Sequence, residues 1–507
     1  MNRKAPLFWV SFAALLTLMY WIVKLHDPFS FEPHAWASAH LATIARSFAQ
    51  LGIIHLHGIP VQNNLPLGLQ PDRYLHWPPL NGILLGMAFR IFGESEAVVH
   101  SFTIVVNICF IVAFYFLVKR CFDRQTAIFS VFALLTLPVF IQYGRLAWTP
   151  NAPLAAICAA LYCFVRGTET SLNWKWIFAG VAAVVLGVLL SWEVAPLGLI
   201  LLGFAIWQRS KARQVAAATY AAASLCTVVI VLGYYVYYSP ELQGSLWATV
   251  RYRMGAPYHP TDIPIHAWTD HVNFSTHITL SIWLTNMRNG WGMLLGGAMS
   301  LVATAGLIGW SWTNRKSRPD VFFVVGGLLG TMIVWMALFP NHVFIHDYQS
   351  LFLAPLVAVS LGVALKLGAE WPDGQFRWLA TLLVPLILIL PLIHQSAQGF
   401  KKMQQDPAVE YARDIERNTL ASAVVFSSSD SMVPVYYSRR HIIRSVSDDE
   451  ALRALARKTQ EAFPGSDIYL AIPPDSLAQF ACASSRFTLI KRTQNMVLFK
   501  VVAGVCG

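Results

Sequence analysis

Charge is scarce in this chain of 507 residues. Asp, Glu, Lys and Arg make up 12% of it, where a soluble domain carries about 25%. With 56% hydrophobic residues and a mean hydropathy of +0.51, this depletion excludes an ordinary soluble protein and points to a membrane one. Other absences narrow the chemistry. No CxxC or HExxH spacing occurs, which excludes the common short metal motifs. No internal repeat marks two equivalent halves of the kind many transporters have. There is no low-complexity tract. Cysteine is sparse, seven in all. Cys109, Cys121, Cys158, Cys163 and Cys226 fall in apolar runs or an inner loop and read as small packing residues. Cys482 and Cys506 stand apart in the tail, where an oxidising compartment would allow a disulfide.

What is present is a series of about eleven apolar runs, most near the length a spanning helix needs. They cover 7–23, 99–118, 125–143, 148–165, 176–192, 194–207, 215–238, 291–312, 321–339, 351–367 and 378–394, the fourth and sixth being short. The first is longer than a signal-peptide core, and no small-x-small cleavage site follows it. The net charge of +11 is not a nucleic-acid footprint, because Lys and Arg sit in alternate loops: Lys119, Arg120 and Arg124; Arg166 and Lys175; Arg209, Lys211 and Arg213; Arg315, Lys316 and Arg318. This positive-inside pattern predicts a cytoplasmic N-terminus and an external C-terminus. The first loop (25–98), the loop at about 239–290, the short loop around His346 and the tail then share the outer side.

The tail from 399 changes character. Helical period at Ala408–Asn418 and Asp448–Phe463 alternates with strand-like runs at Val424–Ser427, Val435–Tyr437, Ile468–Ile472 and Met496–Val502. This predicts a small α/β domain, 399–507, after a membrane domain, 1–398. The first outer loop is polar and rich in histidine. Its segment 34–48 has helical period, with Ala37, Leu41, Ile44, Ala45 and Phe48 forming an apolar stripe, as for a helix lying in the interface. Pro78 and Pro79 then start a second helix well, which runs from Ile83 to Phe92 and stops at Gly93.

The order of these features resembles the GT-C membrane glycosyltransferases. The bacterial relatives of dolichyl-phosphate-mannose-protein mannosyltransferases and of lipid A aminoarabinose transferase are the most similar. The resemblance rests on Ile44-Ala45-Arg46 closing the amphipathic helix, Pro78-Pro79-Leu80, Ile91-Phe92-Gly93-Glu94, His346-Asp347-Tyr348 followed by Pro355-Leu356, and Tyr411-Ala412-Arg413 opening the tail. It implies a polytopic α-helical GT-C protein of about 11 transmembrane helices. Juxtamembrane helices in the first outer loop and a small C-terminal α/β extracytoplasmic domain complete it. The implied reaction is transfer of a sugar from a polyprenyl-phosphate lipid to a lipid, glycan or protein acceptor on the outer face, with inversion. The compact loops favour a bacterial inner membrane and cell envelope. No cofactor is implied with certainty, and a divalent metal stays open.

Such a reaction needs a base for the acceptor hydroxyl, cations for the departing phosphate, and a groove for the lipid. Relatives carry an acidic residue where this chain has His40, so Glu32, His40 and Asp27 are the base candidates, with Glu32 and His40 favoured. Arg73, His76, Arg251 and Arg253 are candidates for the phosphate, Arg because its fork takes two oxygens. Where the aminoarabinose transferase pattern has Lys before the prolines, this chain has Trp77. His34, Asn151, Glu193, His346, Asp347 and Tyr348 complete the substrate-binding candidates. Ionisable residues at the mouth of a span are costly unless useful. Two alternatives remain at this stage: an oligosaccharide ligase of related fold, and a lipid or solute transporter. The one-sided clustering of polar residues favours transfer at the interface.

Overall fold

The computed structural model describes residues 5–29, 34–64, 73–147, 151–240, 243–255, 280–370 and 408–501, the last without 430, 445, 447, 463, 481 and 483–485. Helices α1 (Ala5–Val23), α4 (Glu96–Cys121), α5 (Arg124–Thr136), α7 (Asn151–Gly167), α8 (Trp174–Leu190), α9 (Leu197–Trp207), α10 (Lys211–Tyr238), α14 (Gly297–Thr313), α15 (Pro319–Leu338) and α17 (Ala354–Ala369) lie where apolar runs were expected. The run at 378–394 is outside the described residues. Among the described residues four helical stretches are long and apolar enough to cross a membrane, Glu96–Cys121, Lys211–Tyr238, Pro319–Leu338 and Asp347–Ala369, and shorter apolar helices accompany them.

Local chemistry explains the ends of these helices. Ser95 caps α4 by accepting from Val98 N at 3.3 Å, with Glu96 in the first turn and Lys119 and Arg120 in the last. Acid at the start and base at the end both suit the helix dipole. Asp123 caps α5 through Gln125 N (2.8 Å) and Thr126 N (2.9 Å) and pairs with Lys366 of α17 at 2.7 Å. The run 125–143 is not one helix. Leu137, the residue before Pro138, is extended (φ −67°, ψ 130°), so α5 ends there and a short helix α6 (Pro138–Tyr143) begins. Proline disfavours a helical residue before it and suits a first turn.

Both predicted loop helices form, α2 (Ala35–Leu51) and α3 (Leu80–Phe92). The structure corrects the interfacial reading of α2: every residue from Ala37 to Phe48 is buried, Ser38, His40, Thr43, Arg46 and Ser47 included. Its polar side meets protein, not water. On its apolar side α3 lies very close, because a Cβ at Gly86 would sit 2.9 Å from Ala45 O and 2.9 Å from Phe48 Cβ.

The polar side of α2 meets the tail. There a five-stranded sheet has the order β2-β1-β3-β5-β4, from Val424–Ser427 (β1), His441–Ile443 (β2), Ile468–Ile472 (β3), Thr488–Arg492 (β4) and Val497–Lys500 (β5). β1 is parallel to β2 and β3, and β5 is antiparallel to β3 and β4. The expected strand Val435–Tyr437 is instead part of a helix, Met432–Ser438, capped by Ser431 Oγ on Val433 N at 3.2 Å. Arg46 joins this helix to the loop. It makes a two-point bond to Glu94 (Nε to Oε2 2.9 Å, Nη2 to Oε1 2.5 Å) and donates to Asn64 Oδ1 (2.7 Å) and Tyr436 O (2.9 Å). Cys482 is disulfide-bonded, and Cys506 lies outside the described residues.

Three outcomes follow from this packing. Gly86→Leu overpacks the α2–α3 contact and lowers stability by about 1–3 kcal/mol. Gly203→Ala, where a Cβ meets nothing within 4 Å, leaves the thermal midpoint in detergent unchanged or higher. Arg46→Met strands the Glu94 carboxylate and costs about 3 kcal/mol, seen as faster proteolysis of the tail in the intact protein.

Candidate functional site

The polar residues at the ends of these helices converge. His34 precedes α2 with a left-handed backbone (φ 56°), which turns its ring toward Asp347. His34 Nε2 and Asp347 Oδ1 are 2.6 Å apart, and the Tyr143 hydroxyl at the end of α6 also hydrogen-bonds the carboxylate. The Pro138 break is thus what delivers Tyr143. Tyr348 stands edge-on to His34 at 5.3 Å, and His346 stacks on Tyr348 at 5.0 Å. Trp36 of α2 approaches His346 at 5.7 Å. Asp347 keeps 43% of its side chain exposed, so this carboxylate is reachable.

Behind this pair the site is closed. A short helix α16 (Pro340–Ile345) carries His342, whose ring lies 4.6 Å from that of His346. Glu193, in the 3-10 turn after α8, is buried. Gln349 Nε2 donates to Glu193 Oε1 at 3.2 Å, and Ser191 Oγ donates to the other oxygen. Arg253 ends a helix α11 (Gln243–Arg253) and lies buried over the Trp77 ring, 5.1 Å from its centre. Trp77 follows His76, which meets Thr249 of α11 at 3.0 Å. The side chain that replaces a lysine before the two prolines thus seats an arginine from another loop.

Four imidazoles here are kept neutral. Burial pushes His40 down to about 3, with the charge of Arg444 adding and a hydrogen bond to Gln62 opposing. Burial lowers His76 well below its ordinary value, and Arg253 and His40 add to the effect. His342 and His346 are lowered by burial first, then by Arg253 and His346 for the one, and by His34 and Arg253 for the other.

The structure sorts the sequence candidates. His34, Glu193, Arg253, His346, Asp347 and Tyr348 come together, and His76 joins them through Trp77 and Arg253. His40 packs against Tyr74 at 4.5 Å, in turn 4.9 Å from His76. So low a proton affinity makes it a poor base at neutral pH. Asp27 pairs with Lys24 at 2.8 Å, and its carbonyl takes His100. Arg73 donates to the Tyr238 carbonyl and to Ser239 Oγ (3.0 Å), tying the first loop to α10. Arg251 is exposed where Arg253 is buried, and Asn151 is buried at the start of α7. Glu32 lies outside the described residues. His342 and Gln349 belong to the site and were not singled out from sequence. Their signal was the set of polar residues at 341, 342, 346, 347, 349 and 350 between two apolar helices. Among the described residues, no three His, Cys, Asp or Glu side chains converge on a metal-binding arrangement.

These four histidines give a pH dependence with a definite sign. Unfolded, they titrate near 6.5; folded, they stay neutral well below that. Below about 6.5 the unfolded chain therefore binds more protons, down to about 3 in the case of His40, and stability falls as pH drops through this range. Above it these groups contribute no slope. His40→Gln should shrink the fall in thermal midpoint between pH 7.5 and pH 5 in nanodiscs; an unchanged fall would mean that His40 is not buried as a neutral ring.

Comparison with known proteins bears on the fold. The sequence model of one family, described as dolichyl-phosphate-mannose-protein mannosyltransferase, matches residues 76–235. No curated protein matches the sequence significantly. Among solved structures, ArnT from Cupriavidus metallidurans bound to undecaprenyl phosphate is similar at a TM-score of 0.65 and 14% identity, over 98% of this chain and 99% of that one. The oligosaccharyltransferase of Archaeoglobus fulgidus is similar at 0.58 and 15% identity, over 93% of this chain and 70% of that one. AglB from the same organism, with an inhibitory peptide and a dolichol-phosphate, is similar at 0.56 and 15% identity, over 92% and 69%. The chain has the fold of these GT-C membrane proteins.

Proposed function

We propose that this protein transfers a sugar from a polyprenyl-phosphate lipid to an acceptor hydroxyl on the outer face of the membrane. The observation that carries the reading is one cluster holding a reachable carboxylate, Asp347, and a buried guanidinium, Arg253, whose charge acts on the neighbouring His346. The fold, shared over nearly the whole chain with a protein bound to undecaprenyl phosphate, supports it. Asp347 is oriented by His34 and Tyr143 and takes the proton of the acceptor hydroxyl. The freed oxygen pair attacks the anomeric carbon, and the bond from that carbon to the lipid phosphate oxygen breaks. The phosphate leaves with the electron pair, and Arg253 and the His76 ring meet its charge. A single in-line displacement inverts the anomeric carbon. Glu32, two residues before His34, is the second carboxylate proposed for the base.

In this reading the eleven-span count, the domain boundary at 398/399, the external tail and the bacterial inner membrane go together. They put Asp347, Arg253 and the first loop on one side. Arg253 takes the phosphate role in preference to Arg73, whose guanidinium serves a backbone carbonyl.

The test is transfer from radiolabelled polyprenyl-phosphate sugars in nanodiscs, with extracted envelope as acceptor. Asp347→Asn should lower kcat by about 10²–10⁴-fold while donor binding holds. Arg253→Ala should weaken donor binding itself. Full activity in Asp347→Asn would move the base to Glu32. Incorporation of a whole preassembled glycan, with single sugars inert, would favour the ligase reading. Movement of lipid or solute without any transfer would favour transport.

A further inference from the structure

A second cluster of side chains lies at the other end of the helices. α15 starts at Pro319 and ends at Leu338, beside the helix that carries His342, so its 20 residues set the two clusters about 30 Å apart. At that far end α9 stops at Trp207, α14 stops at Thr313 and α10 starts at Lys211. The indoles of Trp207 and Trp312 stack, with ring centres 5.0 Å and planes 25° apart, and both rest against Phe322 of α15, at 5.7 and 6.2 Å. The Arg315 guanidinium lies 5.2 Å from the Trp207 ring centre and 5.4 Å from that of Trp312. Its Nη1 donates to Trp312 O at 2.9 Å, and Gln208 Nε2 holds the Arg315 carbonyl at 3.3 Å. Among the described residues nothing accepts from its Nε or Nη2. The two indoles are 46% and 52% exposed, and Arg209, Lys211 and Lys316, which follow closely in sequence, are exposed as well. The nearby carboxylate, Asp320, is taken by Arg213 at 3.2 Å, and among the described residues no acid pairs with Arg209, Lys211, Arg315 or Lys316.

We infer that this corner binds an anionic phospholipid of the leaflet away from the His346 cluster, with the headgroup phosphate on Arg315 and flanked by Arg209 and Lys316. The inference stands apart from the transferase reading, since it needs only a chain that spans a membrane. Half-exposed indoles at the ends of spanning helices sit at the headgroup level. Cations beside them draw anionic lipid, but scattered cations do so without choosing a place. Here one guanidinium is held by two rings, a contact that the indole face favours. A fork held in this way can meet two oxygens of a phosphate at once. A zwitterionic headgroup brings its own ammonium into the same group of cations and an anionic one does not, which gives the choice between them. The acyl chains have a place as well: Leu199 and Ile206, seven residues apart on one face of α9, are 65% and 57% exposed.

The test titrates the full chain in detergent with phosphatidylglycerol or with phosphatidylcholine of the same acyl chains and counts bound lipid by native mass spectrometry. The wild type should bind phosphatidylglycerol about fivefold or more tighter, the size of one cation near an anionic headgroup. Arg315→Gln, and Arg209→Gln together with Lys316→Gln, should each remove about that factor, with phosphatidylcholine binding and the thermal midpoint unchanged. If Arg315→Gln lowers the midpoint, the exposed pair decides, since its side chains bond nothing among the described residues. Trp312→Leu keeps every charge and should still lower the preference, because the guanidinium loses one of its two rings. Lys175→Gln removes an exposed cation at the start of α8, at the same end of the bundle, and should leave the preference intact. Equal binding of the two lipids by the wild type overturns the inference. So does a loss in Lys175→Gln as large as in Arg315→Gln, which would mean attraction to the charge of the whole face. Displacement of the lipid by glycerol phosphate at equal concentration would mark a site for soluble phosphate and overturn it too.

Discussion

Arg46 ties together four parts of the chain that are far apart in sequence. From the middle of α2 its guanidinium reaches Glu94 between α3 and α4, Asn64 in the loop, and the Tyr436 carbonyl in the tail, while its plane lies 4.5 Å from the Tyr436 ring centre. A planar fork of donors suits such a junction, and a lysine could not satisfy it. A buried ion pair adds little net stability, because desolvation offsets much of the attraction. Its effect is on register: with Arg46 and Glu94 locked, α2 can neither rotate nor slide. Asn64 extends the lock by donating to Val435 O and Arg440 O, and Phe29 N donates to the Tyr437 hydroxyl at 2.9 Å. The tail therefore holds the chain on both sides of His34, at Phe29 and at Arg46.

That fixed frame lets the site run on electrostatics. Taking four imidazoles out of water keeps them neutral, and among the described residues the charge of Arg253 bears on three of them, His76, His342 and His346. In the transfer proposed above, a charge on any of these rings would compete with it for the anionic leaving group. The same exclusion of water strengthens each remaining interaction, since opposite charges attract more at lower effective dielectric. The aromatic rings that crowd the histidines, Trp36, Tyr74, Trp77 and Tyr348, supply the low-dielectric walls and fix the ring planes.

The helices were legible in the sequence because their signals are local. The apolar period of 34–48 and the proline pair at 78–79 marked α2 and α3 without knowledge of what packs on them. What α2 packs against was not legible, since a polar helix face reads the same whether it meets water or a partner with matching groups. Val435–Tyr437 was misread for a related reason: valine and tyrosines suit a strand, but the Ser431 cap makes a helix and the tertiary contacts of the tyrosines hold it. β4 escaped notice because all five of its residues are exposed, so it lacks the in-out alternation that betrays a half-buried strand. At the site, His346 and Asp347 stood out as ionisable residues at a span mouth. Arg73 and Arg253 were indistinguishable as arginines; only the fold shows that one serves a carbonyl and the other sits over Trp77.

The two carboxylates of the cluster show how burial divides roles. Asp347 and Glu193 belong to one connected group of side chains, and sequence alone gives no reason to rank them. Asp347 has 43% of its side chain exposed and is oriented by His34 and Tyr143, so it can meet a substrate proton. Glu193 is 2% exposed and occupied by Ser191 and Gln349. Its work is to fix the Gln349 amide, which in turn fixes the His342 tautomer. In the proposed reaction a reachable acid serves chemistry and a hidden one orientation, a consistent use of two chemically similar groups that differ in the fold around each and not in identity.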